Sequence, residues 1–170
     1  EQVVVREDDS VEKIISQPAT AVVNIVTVFD SSSTTKKGSQ IIGGRQVETR
    51  TGVLLTNDGL IVTYTNEAPL EQGVSYSVLL FDGKNYKARF AGYDTLTNLA
   101  YFRIEDTITV PAIAFANSDD ARTGKRLIAI GNSFAEYQNR IAIGALQNKN
   151  RTLNLSAQSV SSSEKWEGVF

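Results

Sequence analysis

The chain has 170 residues, 41% apolar and 21% charged, with a formal net charge of −2, which suits a folded protein of one domain or two small ones. It contains no His and no Cys, which excludes Ser-His-Asp and Cys-His catalysis from its own residues, His- or Cys-based metal sites, disulfides and an imidazole pH switch. Seventeen Lys and Arg against nineteen Asp and Glu argue against a nucleic-acid binder; Lys36-Lys37 and Lys149 with Arg151, the nearest approach to a basic patch, read as solvated loop charge.

Residues 1–9 are polar and acidic after Val3-Val4-Val5. Ser10 is placed to cap a short helix over Val11–Ser16, with Val11, Ile14 and Ile15 on one face and Pro18 as its stop. The β-branched run Ala21–Phe29 predicts a strand. Residues 30–50, rich in Ser, Thr, Gly and Lys, read as a long loop. Gly52–Thr56 and Leu60–Tyr64 flank Asn57-Asp58-Gly59, and Ser75–Phe81 and Tyr86–Tyr93 flank Asp82-Gly83-Lys84-Asn85, so two hairpins are expected. Leu99–Ile104 and Arg126–Ile130 predict further strands, and Arg140–Gln147 a less regular one. After Gly144 the remaining residues are rich in Ser, Asn and Gln, so this second strand group looks incomplete.

Short strands between turn residues, with almost no helix, indicate an antiparallel all-β barrel or sandwich. The expected division is a lead-in over 1–19, a first barrel over 20–112, and a linker with part of a second barrel over 113–170. A closed barrel needs roughly six strands, since an open edge leaves backbone groups without partners. The first strand group supplies them and the second does not. No apolar run approaches the ~18 residues of a spanning helix, and Met is absent even at position 1, so the chain is expected to start after a removed or trimmed segment.

Four stretches in order, AVVNIVTVF at 21–29, TGVLLTNDGLIVTYTNEA at 51–68, VLLFDGKNYKARFAGYDTLTNLAYFRI at 78–104 and NSDDARTGKRLIAIGNSF at 117–134, resemble the trypsin-like serine proteases of the HtrA/Deg type. The resemblance implies two six-stranded β-barrels, the second incomplete in this chain, with the active site in the cleft between them. It places Asn66 where the family has its general-base His, and Asn98, before Leu99-Ala100, where it has the orienting Asp. The family's Gly-Asn-Ser-Gly-Gly nucleophile loop is absent; Gly131-Asn132-Ser133-Phe134 matches an earlier Gly-Asn-Pro-Phe turn. Asn has no group that titrates near neutrality and cannot take a proton from a serine hydroxyl, and loss of the orienting carboxylate alone costs on the order of 10⁴ in turnover in Ser-His-Asp proteases. The expectation is a catalytically inactive homologue that serves as a peptide- or protein-binding or scaffolding module. The alternative is a serine endopeptidase represented by an incomplete chain, with a partner supplying missing groups.

Tyr64, Thr65 and Glu67 are candidates for lining the cleft, with Tyr76 and Trp166 weaker ones. Glu67 as a substitute base and Lys84 or Lys87 in a Ser-Lys dyad are disfavoured as exposed hairpin or loop residues. Asp119-Asp120 reads as a capped turn rather than half a metal site, and no cofactor or metal is expected. Asn150-Arg151-Thr152 and Asn154-Leu155-Ser156 are glycosylation sequons that matter only in a eukaryotic secretory setting. The resemblance also implies an extracytoplasmic location, with any membrane tether upstream of Glu1, and the loop at 30–50 is a candidate for contacts in a homo-oligomer.

Overall fold

A computed structural model describes residues 16, 18–30, 40–42, 45–69, 71–131, 140–149, 151–156 and 163–169. The expected helix over 11–16 therefore lies outside the described residues except for Ser16, as do Lys36-Lys37, the turn at 132–134 and Asn150. Ser16 and residues 18–20 are helical, so Pro18 does not end the helical turn. Ala21 N–H donates to Pro18 O at 3.0 Å and closes that turn instead. Proline lacks a donor but keeps its carbonyl, so it can accept this bond.

The chain divides into two compact units, residues 1–114 with 130–140, and residues 115–129 with 141–170. The first unit holds a closed, six-stranded antiparallel barrel. Its strands are β1 (Val22–Phe29), β3 (Arg45–Leu54), β4 (Leu60–Tyr64), β5 (Val74–Leu79), β6 (Asn85–Asp94) and β7 (Leu99–Ile104). The ring runs β1-β5-β6-β7-β4-β3, and β3 pairs back onto β1 to close it. A seventh strand, β2 (Gln40–Ile42), adds to the outer end of β3 and exposes Ile41 and Ile42. The expected loop at 30–50 is thus strand over 40–42 and 45–50.

The barrel follows from alternation. In β1 the odd-numbered residues Val23, Ile25, Thr27 and Phe29 are buried; in β4 Ile61 and Thr63 are, and in β7 Ala100, Phe102 and Ile104. Ile25, Leu54, Ile61, Val78 and Ala100 have 0% exposure. Phe102 sits among them, with Tyr76 and Phe90 edge-on to its ring at centroid distances of 4.9 and 5.8 Å. β3 obeys the same parity with a different composition: Leu54 and Gly52 face the apolar core, and Gln46, Glu48 and Arg50 continue the inward series. Arg50 lies opposite Ile25 and Glu48 opposite Thr27. One end of the barrel interior is therefore apolar and the other polar.

Both Asp-Gly turns form. Gly59 (φ 86°) closes the β3–β4 connection by donating to Thr56 O at 3.2 Å, and Gly83 (φ 81°) donates to Leu80 O at 3.0 Å. These left-handed values suit glycine. Arg103 pairs with the Asp58 carboxylate, whose pKa lies below the ordinary value because of hydrogen bonds from Thr56 first and Arg103 second.

β8 (Arg126–Gly131) pairs with β9 (Arg140–Ala145), both mostly within the second unit, and β10 (Arg151–Ser156) pairs antiparallel with β11 (Ser163–Val169) in that unit. The Ser-, Asn- and Gln-rich segment after Gly144 thus contributes two strands. In this unit Leu146 is a buried apolar side chain, and Leu127, Ile141 and Ile143 are exposed. Asp119-Asp120 sits in a 3-10 turn, Ser118–Asp120, capped by Asn117 Oδ1, which accepts from Asp119 N–H at 3.1 Å. Lys149 Nζ donates to the carbonyls of Ser118, Asp119 and Ala121 at 3.3, 2.9 and 2.8 Å, and so acts as a brace for that turn.

Gly52 is the tightest point of the barrel: a Cβ there would stand 2.7 Å from Ile61 Cγ2 and 3.0 Å from Ile25 Cδ1. Gly52→Ala is expected to lower unfolding free energy by about 1–3 kcal/mol, the usual cost of overpacking. Urea denaturation followed by circular dichroism measures it, and an unchanged midpoint would show that the barrel wall yields freely.

Candidate functional site

β4 pairs with β7 in the register Tyr64↔Leu99, so the residues just after β4 meet the residues just before β7. This brings Thr65-Asn66-Glu67 beside Asn98. Thr65 N–H donates to Asn98 O at 3.0 Å, a main-chain bond that extends the ladder by one step. Asn98 is the only non-glycine residue with positive φ (56°) among the described residues. Asn tolerates this region better than most side chains because its short polar group can bond locally. Here Tyr93 Oη–H donates to Asn98 Oδ1 at 2.7 Å, and the same hydroxyl stands 3.3 Å from Thr65 O.

Two small turns shape the surroundings. Thr65, with 2% exposure, donates its hydroxyl to Glu67 O at 2.8 Å and accepts from Glu67 N–H at 3.3 Å. This folds the chain over and leaves Asn66 and Glu67 exposed. On the other side Asp94 accepts from Leu96 N–H at 2.9 Å and from the Thr97 hydroxyl at 2.7 Å. The Thr97 hydroxyl, then the Leu96 N–H, hold the Asp94 pKa below its ordinary value of 3.8. The turn they fix carries Asn98 at its end and Leu96, 93% exposed, at its tip.

The structure thus brings Asn66 and Asn98 to neighbouring turns. Of the other candidates, Tyr64 is 41% exposed and Glu67 lies on the surface, whereas Thr65 faces the barrel interior. Thr65 therefore shapes the turn and lends no surface to an outer groove. Tyr76 is an interior residue against Phe102. Trp166 lies in β11, and its side chain is outside the described residues. Lys84 pairs with Asp82 in its hairpin turn at 2.9 Å, and Lys87 is exposed on β6. Tyr93 and Asp94 went unnoticed in the sequence, although an Asp followed three residues later by Thr is an Asx-turn signal. Chemically, the carboxamides of Asn66 and Asn98 can donate and accept hydrogen bonds, and neither can exchange a proton near neutrality.

A closed six-stranded antiparallel barrel with its outward turns after β4 and before β7 defines a trypsin-like fold. Residues 49–168 match the family model described as "Trypsin-like peptidase domain". The chain belongs to this family, and to its HtrA type. It is 32% identical over 129 residues to "Serine protease Do-like HtrA" of Bacillus subtilis, covering 75% of this chain and 26% of that protein. It is 29% identical over 116 residues to "Probable periplasmic serine endoprotease DegP-like" of Rickettsia conorii, covering 68% and 22%. A solved structure, "HtrA-type protease AlgW with tripeptide", superposes with a TM-score of 0.61 at 25% identity, over 81% of this chain and 39% of the other. The chain spans about a quarter of the length of these curated relatives.

The depressed Asp94 pKa fixes a sign. A carboxylate whose folded pKa lies below its unfolded value stabilises the fold above the unfolded value, and that contribution disappears as pH falls through the folded one. Asp94→Asn is therefore expected to be less stable than the parent at about pH 6, with the gap narrowing as pH drops below about 4. Denaturant midpoints across this range measure it, and a gap independent of pH would show that the Thr97 and Leu96 bonds do not favour the ionised form.

Proposed function

We propose that this HtrA-type domain is catalytically inactive and serves as a peptide- or protein-binding or scaffolding module. The observation that carries the reading is the pair of neutral carboxamides, Asn66 and Asn98, at the two adjoining turns where the family resemblance puts the base and its orienting acid, in a chain with no His. A serine hydroxyl needs a proton acceptor to become a nucleophile, and a carboxamide is not one. The frame that would hold such a pair is nevertheless built, with main-chain and Tyr93 bonds joining the two turns. Tyr64 and Leu96 expose apolar surface on residues flanking them, the kind of surface that takes up an apolar side chain of a ligand. The printed names of the curated relatives, periplasmic endoproteases among them, support an extracytoplasmic location.

The competing reading is an active serine endopeptidase in which another chain supplies the missing groups; it is favoured by the names of the relatives, which are serine proteases. A fluorophosphonate probe and a casein or peptide cleavage assay on the full-length natural protein, alone and in its assembly, separate the two. The expected outcome is no covalent labelling and no cleavage above background. Labelling abolished by a single Ser→Ala substitution would overturn the proposal.

The geometry itself is tested by grafting. In Asn66→His the new imidazole is expected to titrate near the ordinary value of about 6.5. In Asn66→His/Asn98→Asp its pKa is expected to rise by about 1 unit or more, because a neighbouring carboxylate favours the imidazolium. Two-dimensional NMR titration reads both, and equal values in the two variants would mean that positions 66 and 98 do not face each other.

A further inference from the structure

The polar end of the barrel holds a small, partly open well of about 30 Å³ lined by Thr27, Glu48, Arg50, Thr63, Thr65 and Glu67 together with apolar residues such as Phe29 and Phe102. Three of these are threonines that the fold buries, at 8, 5 and 2% exposure for Thr27, Thr63 and Thr65. Two of the three hydroxyls are accounted for. Thr63 donates to Thr51 O at 2.7 Å, and Thr65 closes the 65–67 turn. Among the described residues the Thr27 hydroxyl has no hydrogen-bond partner in the protein. Strand parity turns it inward between its cross-strand neighbours Glu48 on β3 and Tyr76 on β5. Beside it, Glu48 and Arg50 form an ion pair with side-chain exposures of 21 and 33%.

A buried hydroxyl with no partner costs the fold its lost hydration, and an interior charge pair leaves lone pairs and N–H groups to be satisfied. Both demands converge on one space. A volume of 10–15 Å³ on this measure holds one water, and a buried water makes about three hydrogen bonds. The well therefore has room for about two waters and enough polar groups to hold them.

We infer that this well is an internal hydration site, in which about two ordered waters bridge the Thr27 hydroxyl to the Glu48–Arg50 pair. Glu67, in the turn that carries Asn66, is part of the lining. Water thus supports that turn from behind, alongside the apolar residues of the lining. The inference rests on the barrel alone and holds whether or not the protein has catalytic activity.

The test is Thr27→Val, which keeps the shape and removes the hydroxyl. Water–protein NOE and ROE spectra of the parent are expected to show long-lived water at the Thr27 methyl group, and a high-resolution crystal structure should show density in the well. Thr27→Val is expected to lose that water and to lower Tm by about 3 °C. A dry hydroxyl predicts the opposite sign, because its removal relieves a desolvation cost. No long-lived water in the parent, or a Tm that stays level or rises in Thr27→Val, would overturn the inference. Thr27→Ser retains the hydroxyl and must retain the water; a dry well in that variant is equally fatal, even if Thr27→Val fails to fold.

Discussion

The first unit depends on β1 being paired along both edges. Residues 22–28 meet β3 and residues 24–29 meet β5, so the sheet returns on itself and no strand of the ring is left with an open edge. That double pairing also sets which residues point inward, since a one-residue slip would turn Ile25 out and Asn24 in. Closure is possible because Gly52, opposite Val23, has no side chain where Ile25 and Ile61 come together. Once the ring is closed, β4 and β7 must be neighbours, and the turns at 65–67 and 95–98 must adjoin. The candidate site is a consequence of barrel closure.

How much of this could be read from the sequence varies with composition. Strand β7 at Leu99–Ile104 was legible to the residue, because its alternation is apolar and Ile104 ends it cleanly; the two Asp-Gly turns were equally plain. The start of β3 was not. Its inward residues are Gln46, Glu48 and Arg50, so the usual rule of apolar side chains inside runs backwards, and the segment resembles a loop. Only the phase set by Gly52 and Leu54 reveals that the polar residues continue the inward series. The same inversion hides the polar well, since nothing in a string of threonines says which hydroxyl will be enclosed. The strands at 151–156 and 163–169 were hidden for a different reason: Leu153 and Leu155 do alternate with polar residues, but over a short span in a Ser-, Asn- and Gln-rich tail with no turn signal of the Asp-Gly kind beside it. Of the site, positions 66 and 98 were found through family resemblance. Tyr93 was missed because a tyrosine at the end of a strand shows its partner only once the barrel brings Asn98 to it.

The bonds that hold the two turns together do not depend on ionisation. Thr65 N–H to Asn98 O is main chain, and Tyr93 to Asn98 is a bond between neutral groups. In the base–acid pair of serine proteases an ionised carboxylate accepts from the imidazole Nδ1–H and so fixes its tautomer and orientation. In this chain the alignment comes from the β4–β7 register, a left-handed residue that Asn can occupy, and a tyrosine hydroxyl. Shape and chemistry are therefore carried by different atoms. A substitution that removes the proton acceptor leaves the frame standing, because the frame never relied on it. That separation is what lets the protease-type pair of turns keep its shape in a chain without a single imidazole.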